Sequence, residues 1–162
     1  MEWSCLQPDS RASVTTQRGH AIAGPGYLEH LRLSIAPWHM PISQLRWGRI
    51  VTDSTSVVWI DWQGAYQNTI LYLNGARIGA SRIGDDGLDL SDGTRISFDR
   101  SVVLRDGALG STVLTSIPGI TRFAPASTLL IQECKWRSRA LLTRAGATPE
   151  ETWAIHEVVT WP

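Results

Sequence analysis

Apolar and polar residues alternate with period two along most of the chain, and turn residues interrupt the alternation at short intervals. Successive side chains of a strand point to opposite faces, so this pattern predicts strands rather than helices. Strands are expected near 11–16, 20–23, 26–35, 44–51, 56–62, 68–73, 76–83, 94–98, 101–105, 127–136 and 153–160, with Trp3 to Leu6 as an opening strand. Asn74-Gly75 separates Ile70-Leu71-Tyr72-Leu73 from Ala76-Arg77-Ile78 and marks a two-residue hairpin, since a type I′ turn needs positive φ at both central positions. Asp92-Gly93 and Asp106-Gly107 repeat the signal. Strands joined in succession by tight turns form an antiparallel meander, and so many in one sheet must close or fold over to protect their edges. The expected fold is therefore all-β: an antiparallel lipocalin-like β-barrel, or alternatively a two-sheet β-sandwich, built by residues 1–162 as one domain.

Helix has few starting points. Thr148-Pro149-Glu150-Glu151 offers a capping residue, a proline at the first helical position and a glutamate three residues after the cap, enough for one or two turns. Trp136 to Arg144 is compatible with helix or with the preceding strand running on. The breakers Pro118, Gly119 and Pro125 predict a loop over one mouth of the barrel.

Composition sharpens the picture. Val, Ile and Thr supply 36 of the 162 residues, and Gly and Pro add 22 breakers, which favours strands and turns. Fifteen basic side chains balance fifteen acidic ones, so no basic surplus favours nucleic acid. No apolar run is long enough for a membrane-spanning helix, and the first residues lack the basic-then-apolar order of a secretory signal, so a cytoplasmic protein is expected. Cys5 and Cys134 form no C-x-x-C pair and are expected to be free. His20, His30, His39 and His156 have no ligand spacing, so neither a metal nor another cofactor is expected. No phosphate-binding glycine loop and no G-x-S-x-G elbow is present.

The chemical signal lies in carboxylates that fall in phase with apolar residues. Glu29 alternates with Tyr27, Leu31, Leu33 and Ile35; Asp61 with Val57 and Trp59; Glu157 with Trp153, Ile155, Val159 and Trp161. An apolar setting disfavours the charged form of a carboxylate and lets it hold a proton. The alternative is pairing with arginine, for which Arg46 and Arg49 are the candidates, and Glu157 reads most readily as such a structural ion pair. His156 suits either a core or a site. Eight Trp are a heavy load, and Trp38, Trp47, Trp59, Trp62 and Trp136, with Tyr27, are candidates to line a ligand cavity rather than only to fill a core.

Gly24-Pro25-Gly26-Tyr27-Leu28-Glu29-His30 resembles the Gly-x-Gly-Tyr-x-Asp-His segment of the hydroxyneurosporene synthase (carotenoid 1,2-hydratase) and AttH group. Trp47-Gly48-Arg49, Trp59-Ile60-Asp61-Trp62 and the terminal His156-Glu157-Val158-Val159-Thr160-Trp161 look like further hallmarks. Glu29 stands where the family has Asp, and Leu31-Arg32-Leu33 where its pattern continues Asn-Trp-Gly. The resemblance implies a lipocalin-like barrel, related to tocopherol-cyclase-like and other polyene-cyclising proteins. Members are commonly two barrels long, so it further implies a single-barrel version.

Residues and resemblance together suggest a cofactor-independent cyclase or hydratase acting on a hydrophobic isoprenoid or polyene inside the barrel. Glu29 would protonate the substrate, Asp61 or His156 would orient or recharge it, and indole faces would stabilise the cation. Two other readings stay open: a pericyclase that shapes a polyene without acid catalysis, and a non-catalytic carrier barrel. Exposed edge strands also allow a homodimer.

Overall fold

The computed structural model describes residues 2–112, 114 and 124–162. Two long strands come first, β1 (Glu2–Thr15) and β2 (Ala21–Arg32), paired as an antiparallel hairpin. Nine further strands form one antiparallel sheet: β3 (Gln44–Val51), β4 (Ser56–Gln63), β5 (Asn68–Leu73), β6 (Ala76–Ile78), β7 (Ala80–Gly84), β8 (Gly87–Leu90), β9 (Arg95–Ala108), β10 (Gln132–Thr143) and β11 (Glu150–Thr160). Their spatial order is β6-β5-β4-β3-β11-β10-β9-β8-β7. The first and last strands of the meander thus pair with each other, Ala154 opposite Ile50 through Thr160 opposite Gln44. Only Gly79 separates β6 from β7, so residues 76–84 act as one bent strand that pairs with β5 at one end and β8 at the other. The all-β expectation holds, and the architecture is an up-and-down barrel, nearly closed, rather than a sandwich.

Turn chemistry explains the corners. Asn74 and Gly75 both take positive φ, +50° and +78°, as a type I′ turn requires. Gly93 at +85° turns β8 into β9. Asp106-Gly107, expected to be a turn, instead lies inside β9, which continues through it in register with β10.

The inner wall is set by strand parity. Ile50 of β3, Val57 and Trp59 of β4, Leu71 of β5, Leu88 and Leu90 of β8, Ile96 of β9, Ala140 and Leu142 of β10 and Ala154 of β11 pack into one core. These side chains fill one end of the barrel. Eight-stranded closure leaves an interior just wide enough for side chains or one small ligand, and here the side chains occupy it. Gly48 makes this filling possible: it sits between Trp59 and His156 on the neighbouring strands, and a Cβ there would lie 2.2 Å from Trp59 Cζ2 and 2.8 Å from His156 Cβ.

Part of the outer wall is buried as well. β4 is buried on both faces from Ser56 to Trp62, because the hairpin covers the outside of β3, β4 and β5. Trp3 and Cys5 of β1 and Tyr27 of β2 pack there against Leu45, Trp47, Val58, Ile60, Trp62, Ile70 and Tyr72.

Several local expectations are corrected. The strand expected over 127–136 is borne out from Gln132 on, as the start of β10, whereas its first residues belong to a short helix, α1 (Ala126–Leu129). Trp136 to Arg144 is strand up to Thr143, since alternate residues Ser138, Ala140 and Leu142 reach the core. No helix forms at Thr148-Pro149, because Glu150 and Glu151 already pair with Leu142 and Leu141 as the start of β11. Residues 87–90 form a strand not foreseen. Pro118 and Gly119 lie outside the described residues, while Pro125 precedes α1.

Gly48→Ala is expected to destabilise the barrel by roughly 2 kcal/mol or more, the scale of overpacking a core, because the added methyl must displace the Trp59 ring. Urea denaturation followed by circular dichroism measures this directly; an unchanged midpoint would contradict the packing described.

Candidate functional site

Two hollows, separated by the barrel wall, contain part of the set singled out by the sequence: Tyr27, Glu29, Trp47 and Glu157 in one, Arg46 and Trp136 in the other. The first is a crevice of about 280 Å³ between the hairpin and the outer wall, lined by Trp3, Tyr27, Glu29, Leu31, Leu45, Trp47, Ile60, Lys135 and Glu157. Glu29 is its focus. The Trp3 indole N–H donates to Glu29 Oε2 at 2.7 Å, and the Trp47 indole N–H donates to the same oxygen at 3.1 Å. Burial together with the neighbouring Glu29 charge pushes the Tyr27 phenol's pKa upward. The same two causes push the Cys5 thiol up to about 11, so it stays protonated at neutral pH. Glu29 therefore joins β1, β2 and β3 through aromatic donors, and no described cation forms an ion pair with it.

Cations stand around this focus without reaching it. Arg49 lies over the Tyr27 ring, 4.7 Å from its centroid, and Lys135 lies 5.9 Å from that of Trp47. Lys135 pairs with Glu157 directly across the strand at 2.5 Å, and Arg105 holds Glu133 at 2.9 Å on the same outer face. Burial pushes the Glu157 carboxyl above its ordinary range, and Lys135 opposes the shift. Glu157 is thus a structural ion pair, with Lys135 as its partner in place of the arginines expected.

The second hollow is the open end of the barrel, about 150 Å³, lined by Gln44, Arg46, Asp85, Asp106, Cys134, Trp136 and neighbours. A column of rings leads from it into the core. Trp136 stacks on His156 at 5.2 Å, His156 on Phe98 at 4.6 Å, and Phe98 on Trp59 at 6.1 Å. His156 Nε2 shares a 2.8 Å hydrogen bond with the buried Ser138 hydroxyl, which meets Ser101 at 2.7 Å. Burial depresses the His156 pKa to about 4, so the ring is neutral at pH 7.

The sequence-based assignments divide accordingly. Glu29, Tyr27 and Trp47 meet in the outer crevice, whereas Asp61, Trp59, Trp136 and His156 belong to the inner wall. Glu29 does not face a hollow barrel centre as expected, because its strand lies in the hairpin outside the barrel and its inward side meets the outer wall. Asp61 accepts from Thr69 Oγ1 at 2.5 Å and Gln63 Nε2 at 2.7 Å. Arg46 lies directly opposite Asp61 in the ladder, yet its guanidinium pairs with Asp85 of the β7–β8 turn, and Arg49 stacks on Tyr27. Neither arginine therefore clasps the carboxylates it was expected to hold. Trp62 is buried in the outer-wall cluster, and Trp38 sits in a short 3-10 turn, edge-on to His39; neither lines the crevice or the barrel mouth. Trp3 and Lys135 complete the crevice and were missed, although Trp3 shares strand parity with Cys5 on the face that docks.

A larger groove of about 540 Å³ runs past Thr52, Asp53 and Glu150 at the barrel end, where the Thr52 and Ser54 hydroxyls are already engaged by Glu150. Glu150 accepts from Thr52, Ser54 and Thr55, which hold its carboxyl below the usual range. Among the described residues no cluster of His, Cys, Asp and Glu has the makings of a metal site, and no helix is long and apolar enough to cross a membrane. Comparison with known proteins finds no match to a family model, a curated protein or a solved structure.

Two outcomes follow from these environments. Trp47→Phe keeps an aromatic ring but removes one donor to Glu29, and should cost about 1.5–3 kcal/mol in thermal or urea unfolding, the worth of a hydrogen bond to a charged group; no loss would show that the contact does not hold the hairpin. The depressed His156 pKa means that the unfolded chain takes up a proton near 6.5 and the folded one only near 4. Stability should therefore fall as pH drops from 6.5 towards 4, and His156→Gln should reduce that slope. Urea midpoints across this window supply the check, and an equal slope in both proteins would contradict the assignment.

Proposed function

We propose that the crevice beneath the hairpin binds a small hydrophobic molecule whose hydrogen-bond-donating or positively charged centre is placed against Glu29. The observation that carries this reading is a carboxylate set among Trp3, Tyr27 and Trp47, with no ion-pair partner among the described residues, in an open hollow whose other walls include Leu31, Leu45 and Ile60. Ligand sites combine apolar walls with a few convergent polar groups in this way. At about 280 Å³ the hollow lies at the small end of such sites, which favours a short isoprenoid or a comparable ring over a long carotenoid.

The catalytic form of this reading is a cofactor-independent cyclase or hydratase, as the resemblance to the hydroxyneurosporene synthase and AttH group implies. Its support is the pairing of indole faces with a carboxylate. A carbocation formed in the crevice would lie against the Trp3 and Trp47 rings, each face contributing about 0.5–2 kcal/mol, with the Glu29 charge opposite. Protonation of an alkene by Glu29 would leave the anion beside the cation. Capture of that cation by water, or loss of a neighbouring proton, would return the proton to Glu29 and close the cycle. The Trp3 and Trp47 indole donors hold Glu29 Oε2 in place for that final deprotonation.

Tryptophan fluorescence titrated with farnesol and geranyl amine tests the reading. Saturable quenching is expected, with affinity reduced at least about tenfold in Glu29→Gln for the amine, the scale of one charged hydrogen bond, and with circular dichroism unchanged. Equal affinity in the variant, or no saturable binding of either probe, would overturn it.

A further inference from the structure

β9 extends well past the strand that flanks it. β8 pairs only with Arg95 to Ser97, and the Phe98 N–H donates to the Asp86 carbonyl. Beyond that point β9 is paired with β10 alone among the described residues, leaving one edge open along 99–108. Val102, Val103 and Leu104 on this edge are 47%, 55% and 51% exposed. An open apolar edge is a template for another strand.

The local register says which strand fits. Asp99 lies opposite Arg139, Val102 opposite Arg137 and Arg105 opposite Lys135. Those β10 residues alternate with the core residues Ala140 and Leu142, so Asp99, Val102 and Arg105 all point outward. One extra residue is inserted on each side of Val102: Arg100 and Ser101 together span the position of Ser138, and Leu104 is the extra residue between Val103 and Arg105. Arg100, at φ +46°, makes the first of these bulges. The edge is therefore symmetric about Val102 in spacing, and its flanks, Asp99 and Arg105, carry opposite charges.

A straight strand would meet two bulges it cannot match, the usual way in which bulges protect an edge. A second copy turned about a twofold axis through Val102 offers bulge against bulge. It sets Val102 against Val102, and it brings Asp99 opposite Arg105 of the second copy on both sides of the axis. Arg105 uses Nη1 for Glu133, which leaves its Nε and Nη2 hydrogens for that contact. A shift of one residue sets outward-pointing Asp99 opposite inward-pointing Asp106, so the pleats mismatch and both Asp99–Arg105 pairs are lost. We propose that the chain forms a symmetric homodimer by antiparallel pairing of the β9 edges, with Val102 on the axis.

Sedimentation of the full chain across the micromolar range, with cysteine crosslinking, tests this. A dimer is expected. Val102→Asp places like charges face to face on an exposed position and should raise the dimer dissociation constant at least about tenfold, with the circular dichroism spectrum unchanged. Val102→Cys should crosslink to itself under mild oxidation, because only a residue on the axis meets its own copy, while Val14→Cys at the exposed hairpin end should not. A monomer at every concentration, a dimer that Val102→Asp leaves intact, or crosslinking at position 14 in preference to 102 would overturn the proposal. So would a dimer in which Val102→Cys stays reduced.

Discussion

The hairpin is held to the barrel by the convergence of a buried apolar face with two hydrogen bonds, from the Trp47 indole to Glu29 and from the Ser56 hydroxyl to the Pro8 carbonyl. Glu29 accepts from Trp3 on β1 and from Trp47 on β3. Without that convergence the first two strands share a ladder only with each other, and a lone two-stranded hairpin is marginal in water. With it, the hairpin covers Val58, Ile60 and Trp62, and β4 becomes buried on both faces. The crevice exists because the clasp holds two curved surfaces together at one place and leaves them apart beside it.

Barrel closure decides where chemistry can occur. Once β11 pairs with β3 and residues 76–84 bridge β5 and β8, the interior is narrow, and Trp59, Phe98 and the aliphatic core fill it. Gly48 is the local condition for that filling. What remains of the interior is a polar mouth at which Arg46 is already neutralised by Asp85 and His156 is held neutral by burial. A hydrophobic guest finds more apolar wall outside, against Trp3, Trp47, Leu45 and Ile60, than in this mouth.

Strand content, the Asn74-Gly75 corner and the meander were legible because they depend on local rules: alternation, and positive φ at two adjacent residues. Parity also separated Trp59 and Asp61 from Val58 and Ile60 correctly. Parity cannot say what lies beyond each face, however, and this is why Glu29 was placed inside the barrel. Its strand does bury that side, but against the outer wall of the sheet. For the same reason Glu157 alternates with apolar residues without facing the interior, and His156, on the opposite face, is the one turned to the core. Direct opposition in a ladder is likewise no guarantee of contact: Arg46 faces Asp61 in register and still reaches Asp85, because a long side chain follows the nearest exposed charge rather than its rung. The predicted Thr148 helix does not form because pairing of Glu150 and Glu151 with β10 outweighs a good capping sequence.

The most direct test of the clasp is the amide and indole proton spectrum of the 15N-labelled chain. The indole N–H signals of Trp3 and Trp47 should be shifted downfield and protected from exchange. Both should move in Glu29→Gln while that of Trp59, on the inner wall, stays in place. Rapid exchange at Trp3 and Trp47, or signals indifferent to the loss of the Glu29 charge, would contradict the account and leave a barrel with a hairpin held by other means.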